Sequence, residues 1–247
     1  MKMMTVTRLH RVVLGTCTIL LLLAACTGGV LDRPGSTHAP PTRILLIGNS
    51  FTFFHRGIDK ELKGLAPSSR VSRIAAAGYT LEDHWNDGAA AREIREGGWT
   101  YVVLQEQSQR PVVDWQSFYK FSREFDIVIR ESGAETVLLM TWERPDSVAG
   151  GVTTASLASA YDAVGAQLGA GVAPAGQAFA RSLLQRPDLP LYSQDGHPTE
   201  AGTYLAACVL YGVILQRTPV GNSYVGPGVT KDDAAFLQQV AAETLGF

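Results

Sequence analysis

Short apolar runs alternate with stretches of helical periodicity along most of this chain. Ile44–Ile47, Val71–Ala76, Tyr101–Leu104 and Thr136–Met140 are compact apolar segments of strand length, and Gly171–Ala175 is a weaker fifth. Between and after them the apolar spacing turns helical. Residues 53–65 place Ile58, Leu62 and Leu65 on one face, and residues 81–96 carry a helix-favouring run at Ala89–Ala91. Residues 115–132 line up Phe118, Phe121, Phe125, Val128 and Ile129 before a stop at Gly133. Helices are also predicted over 155–168 and, strongly apolar, over 201–215. Thr230 caps a last helix with Asp232 and Asp233 in its first turn. Near-continuous apolar strands separated by helices predict an α/β domain: a parallel sheet covered on both faces. Ligands of such sheets bind beyond the carboxyl ends of the strands. Ser50 follows the first strand and Gln105–Ser108 the third, so both belong to that edge.

The first 42 residues break this pattern. Lys2, Arg8 and Arg11 precede an apolar run from Val12 to Ala25, which is short for a membrane span and has the layout of a signal peptide over residues 1–25. The run ends Leu23-Ala24-Ala25-Cys26, which resembles the lipobox of bacterial lipoproteins. That resemblance implies a lipidated Cys26 and an exported protein anchored to a membrane of the cell envelope by lipid rather than threaded through it. Residues 27–42 hold Gly28, Gly29, Pro34, Gly35, Pro40 and Pro41 without periodicity, the composition of a flexible tether. Residues 43–247 then form one domain by length.

Charge and cysteine content narrow the function. Without the leader the chain carries 18 basic and 23 acidic residues, and no basic stripe remains. Nucleic acid is therefore not an expected partner. Cys208 lies in the apolar helical segment and reads as a small buried hydrophobe rather than a nucleophile. No histidine or cysteine spacing of a metal site and no phosphate-binding glycine motif is present in the sequence, so no cofactor is expected.

Two blocks carry chemistry. Gly48-Asn49-Ser50 closes the first strand with a turn, where Ser50 is either a nucleophile or the cap of the next helix. Asp195-Gly196-His197-Pro198 offers an acid and an imidazole two residues apart, just before the apolar 201–215 helix. A serine needs a base to become nucleophilic, and the base needs an orienting acid. Extended backbone would put both side chains of Asp195 and His197 on one side.

Gly48-Asn49-Ser50-Phe51-Thr52, an isolated Gly78 after the second strand, a polar block after the third and Asp-Gly-His-Pro near the end come in the order of the SGNH/GDSL hydrolase family. The chain resembles that family over about residues 44–215. The resemblance implies a three-layer α/β/α, flavodoxin-like fold and ester hydrolysis. It assigns Ser50 as nucleophile, His197 as base and Asp195 as its partner, with the Ser50 and Gly78 amides as oxyanion donors. The sequence departs from the pattern in three places. Asn49 replaces the acid of Gly-Asp-Ser, as in carbohydrate-esterase branches. The third block, Leu104-Gln105-Glu106-Gln107-Ser108-Gln109, lacks the family's oxyanion asparagine, which leaves Gln107 or Gln105 to present the amide. The Asp–His spacing is two instead of three, which leaves open a dyad helped by a backbone carbonyl. Trp142, after the fourth strand, fits either a sugar platform or the core. The expected activity is removal of acyl groups, acetyl first, from a carbohydrate or small-molecule ester. An envelope glycan O-acyltransferase and a non-catalytic binding lipoprotein on the same fold are the alternatives.

Overall fold

The computed structural model describes residues 41–247, so the leader, Cys26 and most of the tether lie outside the described residues. In chain order the elements are β1 (Arg43–Gly48), α1 (Ser50–Phe53), α2 (Ile58–Leu65), β2 (Arg70–Ala75), α3 (Leu81–Asp87), α4 (Ala89–Gly97) and β3 (Tyr101–Leu104). There follow α5 (Arg110–Val113), α6 (Trp115–Glu131), β4 (Glu135–Leu139), α7 (Thr154–Leu168), β5 (Gly171–Ala173), α8 (Ala175–Gln185), α9 (Glu200–Leu215) and α10 (Lys231–Leu245). A 3-10 turn, Val148–Gly150, lies between β4 and α7.

Among the described residues, five strands pair in parallel in the order β2-β1-β3-β4-β5. Ile44 faces Val71 on one side and Tyr101 on the other, which fixes the register of β1 between β2 and β3. The reversal of strand order at β1 is the switch point where crevices form in doubly wound sheets. Side chains of β1 alternate between two cores because successive residues of a strand point to opposite faces. Ile44 and Leu46 join the core built on α2, α8, α9 and α10. Leu45 and Ile47 join the core built on α3, α4, α6 and α7. The result is the predicted three-layer α/β/α arrangement. Each of these strand side chains is essentially fully buried, and burying one contributes roughly 1.5–3 kcal/mol.

The structure refines several sequence expectations. Of the helix predicted over 53–65, Phe53 ends α1 and only Ile58–Leu65 forms α2, because His55 and Arg56 between them adopt φ of 45° and 69°. The helix predicted over 81–96 is likewise split, at Gly88 with φ of 79°. The fifth strand stops at Ala173, and Ala175 opens α8, a helix the hydrophobic pattern did not predict. The α9 helix is buried along almost its whole length, Cys208 included. Thr230 caps α10 by accepting a hydrogen bond from the Asp233 amide.

Candidate active site

The carboxyl ends of β1, β2 and β3 deliver three loops to one cleft of about 440 Å³, lined among others by Ser50, Phe54, Gly78, Gln107, Arg144 and His197. Ser50 is the first residue of α1. Its neighbour Asn49 is the cap, accepting from the Phe51 amide at 3.1 Å, so Ser50 is not spent on capping. Gly48 is required by close packing: a β-carbon there would stand 2.5 Å from Gln105 Oε1.

His197 Nε2 lies 2.9 Å from Ser50 Oγ, and His197 Nδ1 lies 2.9 Å from Asp195 Oδ2. The structure therefore joins the three residues in one hydrogen-bonded chain, and the partner of the imidazole is the Asp195 carboxylate rather than a backbone carbonyl. The loop that makes this possible is short. Tyr192 and Pro198 form an antiparallel bridge, and Gly196 turns the chain at φ of 82°, a conformation that favours glycine. Asp195 is mostly exposed, its side chain 65% accessible. The Ser193 hydroxyl at 2.5 Å, then the His197 ring and the His197 amide, hold its carboxyl far below the usual carboxylate range.

The His197 ring is packed as well as hydrogen-bonded. Phe54 stacks on it with ring centroids 4.0 Å apart and Phe51 meets it edge-on at 5.6 Å. Phe54 is delivered by the left-handed turn at His55 and Arg56, and His55 Nδ1 lies 3.0 Å from a carboxylate oxygen of Glu200 at the start of α9. Trp142 is core: it is 1% exposed, stacked between Phe51 and Phe179, and donates from Nε1 to Gly196 O at 3.0 Å. It supports the histidine loop from behind, so the sugar-platform reading of Trp142 is corrected. Trp85 and Trp115 pack against Phe125 and Tyr119, and Tyr79 against His84.

The two glutamines of the third block separate. Gln105 is buried and fully engaged. Its Oε1 accepts from the Asn49 amide at 3.0 Å and from the Thr52 hydroxyl at 2.7 Å, and its Nε2 donates to Asn49 Oδ1 and Glu106 O. Gln107 lines the cleft; its Oε1 accepts from the Gln109 and Arg110 amides, while its Nε2 makes only a 3.3 Å bond to Ser108 Oγ. Gln107 is thus the glutamine of the block that lines the cleft. Among the described residues, neither the Ser50 nor the Gly78 amide has a hydrogen-bond acceptor. Sequence reasoning passed over two members of the site. His84, from α3, is buried with Nε2 2.7 Å from Gly48 O, and burial pushes it below the ordinary histidine range. Glu106 is wholly buried beneath the cleft, and burial pushes its carboxyl up to about 7.

Comparison with known proteins agrees with this fold. No protein-family model and no curated protein matches the sequence. Solved structures do match. A candidate SGNH hydrolase from Slackia heliotrinireducens is 27% identical, with a TM-score of 0.63 over 70% of this chain and 99% of its own. A DUF4886 family protein from Bacteroides uniformis is 17% identical with a TM-score of 0.66, covering 84% of this chain and 95% of its own. A lipase/acylhydrolase from Enterococcus faecalis is 16% identical with a TM-score of 0.54, covering 68% and 93%.

Proposed function

We propose that this chain, an SGNH/GDSL-type hydrolase by fold, is a serine esterase that works through an acyl-enzyme on Ser50. The observation that carries the reading is the unbroken chain from Ser50 Oγ through His197 to Asp195, with both bonds at 2.9 Å. With Nδ1–H donated to Asp195, His197 presents the Nε2 lone pair to the serine hydroxyl. Ser50 Oγ attacks the ester carbonyl carbon as Nε2 takes its proton. The carbonyl oxygen becomes an oxyanion beside the Ser50 and Gly78 amides and the Gln107 NH₂. Collapse breaks the bond to the alcohol, which leaves with the proton from the imidazolium. Water, deprotonated by the same nitrogen, then attacks the acyl-enzyme and releases the acid and free Ser50.

The substrate reading is a short acyl group, acetyl first, on a carbohydrate or small alcohol. Small Ala77 and Gly78 line the cleft with Ser50, which suits a short acyl chain, and the aromatic Phe54 supplies an apolar face beside it. The leader pattern and Cys26 support a location at the cell envelope with a lipid anchor. The test is hydrolysis of p-nitrophenyl acetate by the leaderless protein beside Ser50→Ala and His197→Ala. Loss of about three orders of magnitude or more in both variants is the expected result. Equal slow turnover in all three proteins would refute the esterase reading, and transfer to an added glycan in preference to water would favour an acyltransferase.

A further inference from the structure

Three loops bring the oxyanion donors together, and the contacts between those loops form a closed triangle. Asn49 Nδ2 donates to Tyr79 O at 2.9 Å, tying the Ser50 turn to the Gly78 loop. Gln105 ties the same turn to the third loop through Asn49 and Thr52. The third side is Glu106. A single oxygen, Oε1, accepts from the Leu81 amide at 3.1 Å and from the Gln107 amide at 2.6 Å. Leu81 opens α3 three residues after Gly78, and Gln107 lines the cleft.

We propose that Glu106 is a positioning residue for the oxyanion hole, one carboxyl oxygen fixing the separation between the Gly78 amide and the Gln107 side chain. The inference rests on the hydrolase reading above. Packing alone does not account for an acid here. Glu106 is 0% exposed, and its second oxygen, Oε2, is buried without a hydrogen-bond partner among the described residues. A carboxyl in that setting costs several kcal/mol of desolvation. Leucine or methionine would fill the same space without that cost, but neither could accept two backbone N–H groups. The nearby cation does not supply the reason either. Arg110 bonds to Glu82 and Asp114, and it acts on Glu106 only at a distance. Asp83 of α3 repels the charged form, and Tyr161 of α7 lies close enough to feel it. What remains is the acceptor geometry, which spans two loops that Asn49 and Gln105 join only indirectly. Misplacing an oxyanion donor by a fraction of an ångström weakens a contact that strengthens in the transition state, so the loss belongs in kcat.

The experiment compares wild type, Glu106→Met and Glu106→Gln. It measures kcat and KM on p-nitrophenyl acetate and the rate at which a fluorophosphonate labels Ser50. Methionine keeps the volume and removes the acceptor; glutamine keeps an acceptor oxygen. The expected result is a fall of about 10- to 100-fold in kcat and in labelling rate for Glu106→Met, with KM within about twofold, and recovery to within about threefold for Glu106→Gln. Circular dichroism establishes that each chain is folded, and Glu106→Ala replaces the methionine variant if that one is not. Full activity in the variant that lacks the acceptor, or an equal fall in the glutamine variant, would overturn the inference while leaving the esterase intact. A wild type that neither turns over the ester nor takes up the probe would overturn both.

Discussion

Asp195 and Glu106 are the two carboxylates of this site, and their surroundings push them in opposite directions. Asp195 is mostly exposed on a short loop and is held far below the ordinary range by the Ser193 hydroxyl and by the ring and amide of His197. Glu106 is buried beneath the third loop and is raised to about 7 by desolvation, against the pull of two backbone N–H bonds. Both accept two or more hydrogen bonds, so donors alone do not decide the outcome. Solvent does: water keeps the desolvation of Asp195 small, and its absence dominates at Glu106. The acid that must be negative beside the base is therefore placed where negative charge is easy to hold. The acid placed for its geometry sits where charge is dispensable.

The largest expected effect breaks the Asp195 side of this comparison. Asp195→Asn keeps the shape but offers His197 Nδ1 an amide that can donate. That choice leaves the proton on Nε2, facing Ser50, where a base is needed. Activity on p-nitrophenyl acetate should fall by about 10²- to 10⁴-fold. The thermal midpoint should move by no more than about 2 °C, since an exposed side chain is being exchanged. Retention of activity to within tenfold would mean that the Asp195 charge is not what orients His197.

A smaller effect, of the opposite kind, belongs to the buried side. Gln105→Ala removes both acceptor and donor from behind the Ser50 turn. The Asn49 amide, the Thr52 hydroxyl and Asn49 Oδ1 each lose a partner, and Asn49 and Thr52 are 3% and 1% exposed. Unsatisfied buried groups cost roughly 1–3 kcal/mol each, so destabilisation of about 2–5 kcal/mol is expected, or roughly 5–15 °C in a thermal melt. A midpoint unchanged within 2 °C would show that water or a local shift replaces the network. Asp195→Asn should thus lose activity at constant stability, and Gln105→Ala should lose stability first.

This division also explains what could be read from the sequence. Ser50 after an apolar strand and His197 beside Asp195 are local patterns, and the alternation of strands with helices is legible because burial on two faces leaves continuous apolar runs. The buried polar network is not local. Gln105 and Gln107 are the same residue type two positions apart, and only the fold shows that one is spent on Asn49 while the other faces the cleft. Glu106 reads as a solvated acid after a strand, and nothing near it in sequence announces Leu81 as its partner. The α8 helix escaped for a related reason. Gly176 weakens its helical signal, yet it is needed because a β-carbon there would collide with the Thr141 carbonyl. The false continuity of residues 53–65 comes from His55 and Arg56, whose left-handed turn is fixed by what Phe54 and His55 touch rather than by local preference.

The smallest expected effect sharpens the comparison through pH. Between about 4.5 and 7, the unfolded chain releases the Glu106 proton while the folded protein keeps it. The native state then binds more protons, so this residue's contribution to stability falls as pH rises across that window and is constant above it. The full span corresponds to about 3 kcal/mol. Asp195 acts in the reverse sense. Its exposure keeps the effect small: the depressed carboxyl adds little stability above the unfolded value, and that little is lost only as pH falls through the acid range, well below the Glu106 window. Glu106→Gln removes the titrating proton but keeps the acceptor. The difference in unfolding free energy between wild type and Glu106→Gln, measured in urea from pH 4.5 to 8, should therefore shift in favour of the variant as pH rises and level off above about 7. A difference that is flat across this range would place the proton elsewhere and would mean that Glu106 is charged at neutral pH despite its burial. The two carboxylates would then differ in exposure but not in ionisation, and the contrast drawn between them would fail.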